Sequence, residues 1–180
     1  MLYIDHYQVA YRRGASLALI RIIENEEDLR KSIKIIQTAF QTVADHFNLT
    51  PENCPLHPAF ITYERLAANW HTSTTFYGQF IDDEQVGFIG IEKNKENRFY
   101  IVRLAVLPEY RHLGLGRELV SFACSRIFES GGTAVSIEII DDNSRLKRWY
   151  EQLGFVVTGI EKLDSFPLTL CYMTKPLDRE

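Results

Sequence analysis

The sequence predicts an α/β domain: a mixed, mostly antiparallel central sheet of about seven strands with helices on both faces. Three observations predict it. Short apolar or alternating runs recur between longer runs that carry a helical apolar stripe. A glycine-rich segment, Arg111-His112-Leu113-Gly114-Leu115-Gly116-Arg117, joins a run of strand character to a run of helical periodicity. The chain of 180 residues is 46% hydrophobic and 24% charged, which suits one domain with a full core.

Leu17 to Ile23 reads as the first strand. Asn25 then caps a helix, with Asp28 three residues later in place of the usual glutamate. Leu29, Ile33, Ile36, Phe40, Val43 and Phe47 follow at steps of four and three, one stripe on a long helix ending near Asn48. Thr50 to Pro58 holds three prolines and reads as a loop. Ala59 to Trp70 is predicted as a second, shorter helix. Thr75 to Ile81 and Val86 to Glu92 are strands joined by a hairpin loop, Asp82 to Gln85. Arg98 to Leu107 is the next strand, stopped by Pro108.

From Glu118 to Glu129 a stripe of Leu119, Val120, Ala123, Cys124, Ile127 and Phe128 predicts a helix closed by Gly131-Gly132. Ala134 to Ile140 is a strand, and Asn143 caps a helix that Gly154 closes. Phe155 to Leu163 and Leu168 to Thr174 are the last strands. Residues 17–180 thus read as one domain. Residues 1–16 read as an N-terminal arm: disordered, an extra strand or an oligomer contact.

A strand, a tight glycine loop and a helix in series make an anion site. The first turn of a helix leaves N–H groups unpaired and carries partial positive charge. Gly114 and Gly116 lack Cβ atoms, so a phosphate can approach the main chain. A dinucleotide fingerprint wants a third glycine where Leu119 stands. A nucleotide-triphosphate loop wants Lys-Ser/Thr where Arg117-Glu118 follow Gly116. Neither fits.

The pattern Arg/Gln-x-x-Gly-x-Gly/Ala does fit. Val106 to Arg117 resembles the acyl-coenzyme A signature of the GNAT superfamily of N-acetyltransferases. About forty residues on, Asp142-Asn143-Ser144-Arg-Leu-Lys-Arg-Trp149-Tyr150-Glu-Gln-Leu153-Gly154-Phe155 resembles the same family's Asn-x-x-Ala-x-x-x-Tyr-x-x-x-Gly-Phe segment. The element order matches from Leu17 to Leu177, and the motifs are specific from Tyr100 to Phe155. Leu146 stands where alanine is usual.

The resemblance implies acetyl transfer from acetyl-CoA, a co-substrate, to a primary amine by direct transfer in a ternary complex, with no metal. It implies that Arg111, His112, Leu113, Gly114, Gly116 and Arg117 hold the pyrophosphate, mainly through N–H groups. It implies that Leu104, Ala105 and Val106 act through their backbone on the pantetheine arm and thioester, and that Asn143 also bonds that arm. Tyr150 is implied as the acid beside the departing sulfur, and core packing beside Trp149 is its other reading. Glu138, five residues before Asn143, stands where peptide acetyltransferases of the superfamily carry a base acting through water. Alternation puts Glu138 on the less apolar strand face, where a solvated residue is equally expected. Glu92 and Tyr100 are alternatives.

The nucleophile must be neutral. A lysine-type amine of pKa about 10.4 costs roughly 4.6 kcal/mol to neutralise near pH 7, and a terminal amine about 1–1.4 kcal/mol. The acceptor is therefore left as an amine-bearing small molecule or a protein or peptide. Its determinants are expected in Thr50 to Thr75 and Asp164 to Thr169. Asp82, Asp83, Glu84, Asp141 and Asp142 read as an acidic rim or as solvated turns.

Net charge −4 argues against nucleic acid. Apolar runs fall short of a membrane span, and Asp5, His6, Arg12 and Arg13 spoil a signal peptide. Cys54, Cys124 and Cys171 are widely spaced and suit a reducing cytoplasm, with Cys124 as core filler. His6, His46, His57 and His71 have no ligand-like spacing. A homodimer through residues 1–16 or the last strands remains open. Other functional readings are a non-catalytic coenzyme A-binding module and transfer of a longer acyl chain.

Overall fold

Tyr7–Arg13 (β1) and Ser16–Ile22 (β2) open the chain as an antiparallel pair, with Tyr7 opposite Ile20 and Val9 opposite Ala18. Of the alternatives open for the arm, Tyr7–Arg13 is an extra strand, which covers the free edge of β2. The computed structural model describes residues 7–13, 16–70, 72–163 and 166–177, so His6, His71, Asp164 and Ser165 lie outside the described residues.

Helix α1 spans Glu26–Phe47, and the Asn25 side chain accepts from the Asp28 N–H at 2.9 Å. The buried Asp28 carboxylate also takes an Arg21 hydrogen bond at 2.7 Å, which ties the helix start to β2. Asn48 ends the helix in the left-handed conformation that asparagine tolerates.

The predicted second helix is shorter than expected. Pro58–Phe60 forms a 3₁₀ turn, and α2 covers only Tyr63–Ala67, capped by Thr62. Propensity alone missed that Thr62 restarts the helix. Arg65 then donates to the Pro55 and Leu56 carbonyls at 2.8 and 3.1 Å, fixing the proline loop.

Strands β3 (Thr74–Ile81) and β4 (Glu84–Lys93) meet at a two-residue turn, tighter than the four-residue loop the sequence suggested. Asp82 and Asp83 both have positive φ, 48° and 66°, which matches the right-handed twist of a hairpin. Next come β5 (Phe99–Val106), α3 (Leu115–Glu129), β6 (Ala134–Ile140), α4 (Ser144–Glu151), β7 (Val156–Lys162) and β8 (Thr169–Pro176).

The strands form one sheet in the order β1-β2-β3-β4-β5-β6-β8-β7. Among the described strands only β5 and β6 pair in parallel. Helices α1 and α2 cover one face, where Leu29, Ile36 and Leu66 pack on Ile23, Phe76 and Phe88. Helices α3 and α4 cover the other, where Leu119, Ala123, Ile127 and Tyr150 pack on Ile89, Ile137 and Phe155. Among the described residues no helix is long and apolar enough to cross a membrane. The three cysteines are buried free thiols, Cys124 among the core residues as expected.

Candidate active site

The site begins where two strands part. Pairing of β5 with β6 holds only at Phe99–Val135 and Tyr100–Ser136. The cause lies one strand away. Gly90 faces Val102 while Phe88 faces Ala105, so β5 carries one extra residue opposite Ile89. Arg103 absorbs it with φ 54°. Such a bulge adds twist and swings β5 away from β6. Gly90 permits the close approach, since a Cβ there would stand 2.7 Å from Val102 Cγ2.

The Leu107 N–H donates to the Val86 carbonyl at 3.0 Å. Antiparallel alternation then turns the Ala105 peptide groups toward Phe88 as well, and those of Leu104 and Val106 toward the split. Of the three backbone candidates, Leu104 and Val106 thus face the opening. Ala105 is the compact, buried residue between them.

Past Pro108–Tyr110, a 3₁₀ turn, the loop bends through left-handed His112 (φ 62°) and Gly114 (φ 91°). Helix α3 starts at Leu115, three residues earlier than the apolar stripe suggested, because the first turn is polar and glycine-bearing. Gly114 caps it with no side-chain bond, and the first helical bond runs from the Glu118 N–H to the Gly114 carbonyl. The N–H groups of Leu115, Gly116 and Arg117 therefore have no partner within the helix. A Cβ on Gly116 would sit at ordinary contact, 3.5 Å from Trp149 Cζ2, so no protein atom demands glycine there. The loop thus fits a phosphate ester.

Arg111 is expected to meet the phosphate mainly through its N–H, and its guanidinium is engaged elsewhere. Its guanidinium donates to the Val106 carbonyl (3.3 Å), Thr42 Oγ1 (3.1 Å) and the Ala39 carbonyl (2.7 Å). The side chain locks the end of β5 to α1. The charges left at the loop mouth are Arg117, which is exposed, and Arg145, which lies 3.4 Å from His112 Nε2.

Glu138 stands on β6 just above the last paired row, on the face covered by α1 and α2. Its register partner is Tyr172, whose hydroxyl donates to Glu161 at 3.0 Å. Burial first, and the Glu161 charge second, push the Glu138 pKa up, although its side chain still reaches solvent. Below it, Glu92, Tyr100, Ser136 and Thr174 form one row across four strands. Sequence reading missed Glu161 and Tyr172, because strand pairing alone brings them to Glu138. Of the two readings open for the acidic residues, solvated turns fit the structure better. Asp82 and Asp83 turn the hairpin, and Asp141 pairs with Lys147.

Tyr150 is buried at 5% exposure, its ring 4.8 Å from Trp149 and 5.3 Å from Phe155 by centroids. Burial raises its pKa well above that of a free phenol. The Asn143 side-chain oxygen caps α4 by accepting from the Leu146 N–H at 3.2 Å, which leaves its amide N–H₂ free to serve a ligand. Two surface hollows of about 550 and 920 Å³ lie elsewhere, one beside Thr74 and Lys93, the other beside Ser121 and Lys175. Neither includes Glu138 or Tyr150.

Comparison with known proteins agrees with this geometry. The Acetyltransferase (GNAT) family matches residues 40–155. The mycothiol acetyltransferase of Corynebacterium efficiens is 32% identical over 93 residues, covering 51% of this chain and 31% of that protein. The chain thus matches about a third of that relative's length. Among solved structures, the ribosomal-protein-S18-alanine N-acetyltransferase of Escherichia coli superposes with a TM-score of 0.71 at 18% identity, over 91% of this chain and 96% of that one. The PaiA N-acetyltransferase of Thermoplasma acidophilum, in complex with coenzyme A, gives 0.63 at 22% identity, over 87% and 98%. The last two likenesses show the fold, and the family match covers more than half of the sequence. The chain belongs to the GNAT acetyltransferase family.

Proposed function

We propose that this chain is an acetyl-CoA-dependent N-acetyltransferase that acts on a primary amine by direct transfer in a ternary complex. The observation that carries the reading is the split. Two strands stop pairing beside an uncapped helix start, so the Leu104 peptide groups and the Val106 N–H face a gap beside an anion cradle. Acetyl-CoA supplies the activated acetyl group.

The chain's residues divide the remaining work. The N–H groups of Leu115, Gly116 and Arg117, with the Arg117 charge, hold the pyrophosphate. Those of His112, Leu113 and Gly114 shape the loop around it. Leu104 and Val106 pair with the pantetheine amides, and one N–H polarises the thioester carbonyl, as a preorganised donor in a dry site does. Asn143 donates to the same arm.

Glu138 takes the amine proton, directly or through one water, as the N–C bond forms. Its raised pKa brings it nearer the range where a carboxylate is an effective base. Tyr150 serves the sulfur as the C–S bond breaks. A thiol ionises near 8.5, below this buried phenol. Tyr150 therefore acts chiefly by donating a hydrogen bond to the thiolate. The proton that neutralises the thiolate comes finally from solvent.

Calorimetric titration with acetyl-CoA tests the foundation, beside the double variant Gly114→Asp, Gly116→Asp. Micromolar binding that the variant abolishes is expected. No binding to the unaltered protein would mean that the loop is only a strand–helix turn.

A further inference from the structure

We propose that the acceptor is a small amine that also carries a carboxylate, an amino acid-like zwitterion, and that Arg103 is the residue that reads the carboxylate. The inference rests on the acetyl-transfer reading above. Arg103 is the one charged residue in the strand Phe-Tyr-Ile-Val-Arg-Leu-Ala-Val. Its Nη1 is buried and has no hydrogen-bond partner among the described residues. A buried guanidinium nitrogen left without a partner is costly, and the cost falls away when a carboxylate oxygen arrives.

Its place is as telling as its isolation. Tyr100 and Ser136 are the last paired residues of β5 and β6. Glu138 lies two residues beyond that row, roughly 7 Å along its strand, and Arg103 three beyond, up to about 10 Å along the bulged one. The two residues therefore stand at similar height on the two strands that border the split.

The walls have opposite signs. On the β6 side Glu138 lies near Glu161, whose charge acts on it. On the β5 side the charges acting on Arg103 are Glu92, on the neighbouring strand, and Arg65 of α2. A zwitterion laid across the gap puts its ammonium at Glu138 and its carboxylate at Arg103. The ammonium must first lose one proton to solvent, and Glu138 takes the second as the N–C bond forms.

The test uses the full chain and a panel of free L-amino acids, their C-terminal amides and short C-amidated peptides. Each is titrated calorimetrically with and without coenzyme A, into wild type, Arg103→Met and Arg103→Lys. At least one free amino acid is expected to bind about tenfold or more tightly than its amide. Arg103→Met should erase that preference and leave amide binding unchanged, and Arg103→Lys should keep part of it. Arg103→Met should also melt at the same temperature or higher, because it removes a half-buried charge with one unpartnered nitrogen. A purely structural arginine predicts a lower melting temperature.

Equal binding of acids and amides, preference for the amidated peptides, or no binding by any member of the panel overturns the proposal. Failure of coenzyme A itself to bind sinks the acetyl-transfer reading. Bound coenzyme A with indifference to the carboxylate sinks only this one.

Discussion

Two side chains at the split have separable signatures. Tyr150→Phe removes one hydrogen-bond donor and no volume from the core, so kcat is expected to fall about 100-fold with KM for acetyl-CoA little changed. Steady-state rates with both substrates varied check it, and unaltered turnover ends the assignment. Glu138→Gln is read through pH. The base must be ionised, so kcat/KM of the wild type should fall as pH drops through its raised pKa, and the variant should lose that limb. Stability gives a second check with a definite sign. Between the ordinary glutamate value of 4.5 and the raised one, the native chain holds a proton that the unfolded chain has lost. Wild-type stability should therefore decline as pH rises across that window, and denaturant titrations of Glu138→Gln should show the decline flattened. Glu138 was legible because a glutamate at fixed distance from Asn143 is a local pattern. Arg103 was passed over, because its proposed role depends on a bulge and on a buried nitrogen without a partner among the described residues. Arg111 was assigned by motif to the phosphate, and only the fold shows Ala39 and Thr42 of α1 within reach of it.

Elements with strong local signals came out close to the sequence reading. Asn25, Asn48, Asn143 and Gly154 mark helix ends by capping chemistry, and each stands where it was expected. The start of α3 was placed late, because Leu115-Gly-Arg-Glu carries no apolar stripe and the helix begins on account of the loop geometry before it. The region after Pro58 was overextended for the opposite reason: helical residues were present, but Thr62 restarts the chain. One glycine in this layer is held by packing. Gly132 closes the turn between α3 and β6, and a Cβ there would stand 2.4 Å from Ile127 Cγ2 and 2.8 Å from Phe99 Cδ2. Both neighbours are core residues with little room to give. Gly132→Ala should cost about 1–3 kcal/mol, measured by urea unfolding. Gly131, whose Cβ would meet nothing within 4 Å, serves the same turn through its φ of 83°.

Across the whole molecule, the sequence yields the order of elements and leaves out their neighbours. Nothing local says that β8 lies between β6 and β7, or that Glu161 of β7 comes to stand near Glu138 of β6. Nor does any residue announce that β5 and β6 abandon each other after a single stretch of pairing. That parting has a consequence readable by isotope labelling. In most sheets the amides of an interior strand are guarded on both sides and exchange slowly with deuterated water. Along β5 the guard should alternate: Ala105 and Leu107, bonded toward β4, slow; Leu104 and Val106, opening on water, fast. Saturating acetyl-CoA should slow the fast pair and leave its neighbours as they were. Single-residue exchange rates would then show an every-other-residue imprint of the pantetheine arm, without any turnover and before any acceptor is known. A uniform change along the strand would instead mean that the ligand stiffens the sheet from a distance.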